Sequence, residues 1–165
     1  MRLNNGTWVT IRQIRPDDKA LLAAAVARLS PRTARLRFLA PKNHLTTAEQ
    51  RYLTEIDFVD HYALVAVLAD EPGTLVGVGR WVRDDDDPRA AEIALLVSDR
   101  LQRQGLGIAL GKALKDAARA RGVRRFTGVT LTENEAALRL LAHLSSSLRT
   151  RVDGATYEVV ADLAA

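Results

Sequence analysis

One segment, "AAEIALLVSDRLQRQGLGIALGKALKDAARARG" from Ala90 to Gly122, restricts the fold more than any other. A mostly apolar run ends in a polar turn holding Gly105 and Gly107. An amphipathic stretch follows, with Leu106, Leu110, Ala113, Leu114 and Ala117 on one face. Gly122 stops that helix, and a second β-prone run, "RFTGVTLT", comes next. A strand, a helical crossover and another strand demand a parallel pair, which hairpins alone cannot provide.

The remaining chain adds strands of a different kind. "TWVTIRQIRPDD" alternates polar and apolar residues up to Pro16, and Asp17 or Asp18 can cap the helix "KALLAAAVARLS". Ser30-Pro31 opens a second helix, "PRTARLRFLA". Thr46 and Glu49 have the capping-box spacing for a third, "LTTAEQRYLTEI". "HYALVAVLAD" and "LVGVGRWVRD" flank "EPGT" as an antiparallel hairpin, with Gly77 and Gly79 weakening its second strand. After the crossover come the helix "ENEAALRLLAHL" and a hairpin "LRTRVDGATYEVVADL", whose Asp153-Gly154 suits a type I′ turn. The expected order is βααα-ββ-β-α-β-α-ββ in one domain over residues 1–165, an α/β (α+β) fold with a mixed sheet.

Composition narrows the chemistry. The 165 residues carry a net charge of +4, which suits an anionic ligand but is modest for a nucleic-acid binder, and aromatics are only 5%. The absence of cysteine excludes disulfides, thiolate metal sites and a covalent cysteine intermediate. "MRLNNGTWVTIRQIRP" lacks the apolar core of a signal peptide and no run could cross a bilayer, so a cytoplasmic protein without membrane contact is expected. No metal constellation appears.

The glycine turn admits three readings. A phosphate-binding P-loop would need glycine where Leu106 stands and a hydroxyl where Ala113 stands. A dinucleotide fingerprint would put its third small residue at Leu110 and an acidic ribose ligand near Arg125. Both fail. What remains is Q-x-x-G-x-G from Gln102 to Gly107, where the N–H groups of Arg103, Gln104, Gly105, Leu106, Gly107 and Ile108 face one concavity at a helix N-terminus. A pyrophosphate fits such a concavity; a ligand-free strand-to-helix turn is the plainer alternative.

With "AEIALLVSDRLQRQGLG" followed by a helix, "FTGVTLT" and "ENEAALRLLAHL", the chain resembles the GNAT superfamily of acyl-CoA-dependent N-acetyltransferases. Within it, "RLSPRTARLRFLAP" and "DFVDHYALVAV" resemble the catalytic domain of bacterial Pat-type protein lysine acetyltransferases. The resemblance implies about seven mostly antiparallel strands flanked by helices, with parallel central strands splayed around the CoA site. It also implies acetyl-CoA as co-substrate, and a protein lysine or small amine as acceptor. Homodimers are common in the superfamily. Mycobacterial members carry a fused cyclic-nucleotide-binding domain; nothing in this chain could supply one, so control of that kind is not expected within this polypeptide.

The resemblance assigns roles residue by residue. Leu95, Leu96 and Val97 match the strand that pairs with pantetheine, and Asn134 matches an asparagine near the pantetheine arm, though "TENEA" also reads as a helix cap. Arg103 and Gln104 stand where many relatives have Gly and Arg. Leu141 replaces a tyrosine that protonates the leaving thiolate in many members, but which Pat-type enzymes also lack. A lysine amine of pKa ~10.4 is about one part in a thousand neutral near pH ~7.5, so direct attack needs a base. Glu92 is the candidate: Pat-type enzymes have their base at the matching position, and apolar neighbours would raise its pKa. A carboxylate paired with Arg80, Arg83 or Arg89 is the alternative. His44 and His61 are weaker acid-base candidates, Lys112 and Arg103 could meet phosphates, and a non-catalytic CoA-binding module remains a third function class.

Overall fold

The computed structural model describes residues 1–164. Its elements follow the expected order: β1 (Val9–Gln13), α1 (Lys19–Ala27), α2 (Pro31–Phe38), α3 (Thr47–Thr54), β2 (His61–Leu68), β3 (Leu75–Arg83), β4 (Ala90–Val97), α4 (Leu106–Ala120), β5 (Arg125–Leu131), α5 (Glu135–Leu144), β6 (Ser145–Asp153) and β7 (Thr156–Leu163). The seven strands form one sheet in the order β1-β2-β3-β4-β5-β7-β6, in which β4 and β5 are parallel and every other neighbouring pair is antiparallel.

Helices cover both faces. On β2 the alternation sends Leu64, Ala66 and Leu68 toward α4 and α5, and Ala63, Val65 and Val67 toward α1–α3. That is why "ALVAVL" is apolar throughout. Ridges of α4 press closely on β3: a methyl group at Gly79 would lie 2.7 Å from Leu114 Cδ1. The glycine that weakens the strand on its own is what admits the helix.

Local signals operate as their chemistry requires. Thr46 Oγ1 accepts from the Glu49 N–H at 3.1 Å while Glu49 Oε2 accepts from the Thr46 N–H at 3.2 Å, closing the capping box. Ser30 caps α2 by accepting from the Thr33 N–H. Asp18 precedes α1, but its carboxylate takes the Arg12 fork at 2.8 Å and the Arg15 N–H at 2.7 Å. Burial pushes Asp18 up, and those donors outweigh it and hold the carboxyl below its usual range.

The terminal hairpin departs from expectation. Asp153 pairs with Thr156, leaving Gly154-Ala155 at the tip. Only Gly154 has a positive φ, 59°, so the turn follows the II′ pattern instead of I′. The pairing register decides this, and it also starts β6 at Ser145, directly after α5. Just past α4, Arg121 donates to Phe58 O at 2.8 Å and lies 4.6 Å from the Tyr62 ring centre.

Candidate active site

Beyond Glu92↔Thr127 the β4–β5 ladder stops, and β5 goes on pairing only with β7. The two central strands therefore part immediately after Glu92. The opening runs along Ile93–Val97, whose other edge stays paired to β3. Leu95 and Val97 point to the α4 side of the sheet and Leu96 to the α1–α3 side.

At the end of the opening the chain makes a single 3₁₀ turn, Asp99–Leu101, and enters the glycine loop. Arg103 has φ 62° and Gly105 φ 92°, two left-handed residues separated by one, and α4 begins at Leu106. Among the described residues, none of the six N–H groups from Arg103 to Ile108 donates to a protein acceptor. Those donors sit at the positive end of a 15-residue helix, an arrangement that accepts a diphosphate without any side chain. Leu106 is buried, Gly107 faces Leu95, and Ile108, Arg103 and Lys112 are exposed around the rim.

Gln102 serves this loop through its side chain. Nε2 donates to Val97 O and to Thr33 Oγ1, each at 3.2 Å. Thr33 Oγ1 in turn donates to Asp99 at 2.6 Å, and Asp99 also accepts from the Ser30 N–H and hydroxyl. Burial pushes the Asp99 carboxyl up, and these donors more than reverse it. The network ties α2 to the loop. From the other side, Gln104 O accepts from the Asn4 N–H at 3.1 Å.

Glu92 is exposed, unlike the environment expected of "AAEIALLV". Ala91, Ile93 and Leu95 lie on the opposite face, so the apolar neighbours in sequence are not its neighbours in space. Nor is it paired: among the described residues no cation lies within 4.0 Å of its carboxylate. Arg83 bonds Asp60, and Arg80 bonds Leu53 O and His61.

The sheet face bearing Glu92 carries groups that strand patterning does not single out. His61, Val82, Glu92 and Thr127 stand in one cross-strand row. Arg80, two residue pairs along the sheet and 5% exposed, places Nη1 2.8 Å from His61 Nε2. Desolvation, aided by the Arg80 charge, lowers the His61 pKa from 6.5 to about 4, so near neutrality the ring is an acceptor for Arg80 and is not available as a base. Tyr52 packs on His61 with ring centres 5.2 Å apart. His44 is exposed beside Asn43.

Two other assigned positions have structural duties. Asn134 Oδ1 accepts from the Ala137 N–H at 3.1 Å and caps α5. Leu141 is buried in the core between sheet and helices. No group of three or more potential metal ligands occurs among the described residues.

A splayed parallel pair leading into unpartnered backbone donors at a helix N-terminus defines a class, the acyl-CoA-dependent acetyltransferases. The comparisons agree: the model of the acetyltransferase (GNAT) family matches residues 20–145, and the chain belongs to that family. It is 30% identical over 146 residues to acetyltransferase Pat of Mycolicibacterium smegmatis, covering 88% of this chain and 43% of that protein. It is 33% identical over 136 residues to acetyltransferase PA5475 of Pseudomonas aeruginosa, covering 81% and 72%. Among solved structures, the GNAT domain of S. lividans PAT superposes with a TM-score of 0.87 at 26% identity, over 99% of this chain and 95% of that one. The chain thus spans less than half of the M. smegmatis relative. Its reaction class is acetyl-CoA-dependent N-acetyl transfer.

Proposed function

We propose that the chain acetylates lysine amines of proteins, with Glu92 as general base. The observation that carries this reading is the position of Glu92 at the fork where β4 leaves β5. In it, the free N–H groups from Arg103 to Ile108 hold the CoA diphosphate, Gln102 and Gln104 shape that loop, and the edge of Leu95–Val97 receives the pantetheine arm. Asn134 borders the arm with the side-chain N–H groups that its capping role leaves free.

Acetyl-CoA supplies an activated acetyl group. Glu92 takes a proton from the lysine ammonium, the freed nitrogen bonds to the thioester carbonyl carbon, the C–S bond breaks, and the second amine proton passes through solvent as the thiolate departs. A thiol pKa of about 8.5 makes the thiolate a good leaving group that departs without a dedicated acid, which suits Leu141 where an acid might stand. The likeness to Pat supports a protein acceptor, and a cytoplasmic setting belongs to the same proposal. A small amine is the second reading, favoured by a cleft of about 380 Å³ between α2 and α3.

The test is calorimetric binding of acetyl-CoA beside thiol release with a lysine protein such as an acyl-CoA synthetase. Glu92→Gln should bind acetyl-CoA like wild type and lose about 10²–10⁴-fold in kcat. Equal turnover in both proteins would remove Glu92 from the mechanism, and transfer to free amines but to no folded protein would favour the second reading.

A further inference from the structure

The acceptor side holds more positive charge than its own carboxylates neutralise. Arg37 lines the α2–α3 cleft, and Arg80 lies behind it, buried against Leu53 and His61. Among the described residues no carboxylate comes within 4.0 Å of either guanidinium. Lys42, the other cation of the cleft, is bound to Glu49 at 2.9 Å. Among the described residues the Arg37 guanidinium has no hydrogen-bond partner, and it lies over the Phe38 ring, 4.8 Å from its centre. Burial lowers the pKa of both arginines, that of Arg80 to about 10, and the Arg37 charge adds to the effect on Arg80; both stay cationic at neutral pH.

Arg80 is a buried cation without a counter-ion, which is expensive, and the half-buried guanidinium of Arg37 facing the cleft matches a carboxylate in shape. The helix α2 that carries Arg37 packs against β4 and β5, the strands that meet at Glu92, and the Glu92 charge acts on Arg37. The surface therefore offers a negative group at the fork and a positive one beside it. A molecule carrying an amine and a nearby carboxylate complements both.

We propose that the α2–α3 cleft is a carboxylate subsite, in which Arg37, backed by Arg80, holds an acidic group of the acceptor while its amine faces Glu92. The proposal rests on the acetyl-transfer reading above and sharpens its acceptor. The carboxylate comes either from an acidic residue next to the target lysine or from a free amino acid.

Two acceptor pairs separate these sources: a lysine peptide with adjacent glutamate against its glutamine counterpart, and free lysine against lysinamide. Wild type should prefer the carboxylate member of one pair by about tenfold or more in kcat/KM, and the pair that responds names the source. In Arg37→Gln the preference should shrink to about twofold or less, and Arg37→Lys should recover part of it. Because the Arg37 guanidinium has no hydrogen-bond partner among the described residues, the variant should melt within a few degrees of wild type. Preferences under about twofold in both pairs, or a preference unchanged in Arg37→Gln, overturn the subsite. Turnover of the neutral acceptors that is abolished by Glu92→Gln keeps acetyl transfer intact in either case. If no acceptor turns over, that reading is at fault, and anisotropy with the two peptides fluorescently labelled decides the subsite alone. Tighter binding of the glutamate peptide that is lost in Arg37→Gln supports it, and equal binding overturns it.

Discussion

The two sides of the proposed active site are made from different material. On the nucleotide side one contiguous stretch, Leu95 to Ile108, contributes a strand edge and six free N–H groups, and its side chains matter mainly for what they leave uncovered. On the acceptor side Arg37, Tyr52, His61, Arg80 and Glu92 come from α2, α3, β2, β3 and β4, and everything depends on their side chains. A backbone site needs a particular path of the chain, which glycine spacing advertises. A side-chain site needs distant elements to meet, and the sheet register brings them together.

This contrast explains what could be read in advance. Gly105 and Gly107 between an apolar run and an amphipathic one mark the turn, and the β-α-β order around it sets the parallel pair. Arg80, in contrast, sits in "VGVGRWVRD" like any outward residue of a strand. Its burial depends on α3 covering that face, with Leu53 O accepting from it across 27 residues. The surroundings of Glu92 could not be read from its sequence neighbours, because strand alternation puts those apolar residues on the far face. The hairpin tip failed for a related reason: "DG" signals a turn, but the pairing of Asp153 with Thr156 selects which two residues form it.

The sharpest way to break the contrast is to damage one side and read the other. At Gly105 a methyl group would have room, 3.8 Å from the nearest Asn4 atom, so substitution acts through the backbone and not by collision. A β-branched residue at φ 92° costs about 1–3 kcal/mol, and the loop should rotate away from its donor geometry. Gly105→Val should raise the acetyl-CoA Kd by about tenfold or more while kcat at saturation stays within about threefold. A Kd within about twofold of wild type would mean that the backbone donors are not the anchor. The Asp99–Thr33–Gln102 network is a route by which such damage would spread to α2.

On the acceptor side His61 gives a pH signature. Its pKa is 6.5 when unfolded and about 4 in the fold, so between those values the unfolded chain binds the extra proton. The stability due to neutral His61 is complete above pH ~6.5 and is lost as pH falls toward 4, on the order of 2 kcal/mol by pH ~4.5. His61→Gln can accept the Arg80 bond without titrating. Its melting temperature should fall less than that of wild type between pH ~7 and ~4.5, and parallel curves would show that the buried Arg80–His61 contact does not govern acid stability.

The smallest effect tests the nucleotide side again, at Arg103. Its φ of 62° is a conformation that glycine adopts freely and an arginine adopts at a cost of about 1–2 kcal/mol, which gives a physical reason for the glycine that many relatives have there. The extra freedom of a glycine in the unfolded chain offsets part of the relief, by about 0.5–1 kcal/mol. Arg103→Gly should therefore be neutral to stabilising by about 1 kcal/mol in chemical denaturation. If Arg103 contributes only its N–H, acetyl-CoA affinity should stay within about twofold. A loss of about fivefold or more would show that its exposed guanidinium also meets the phosphates, and that the nucleotide side is not built from backbone alone.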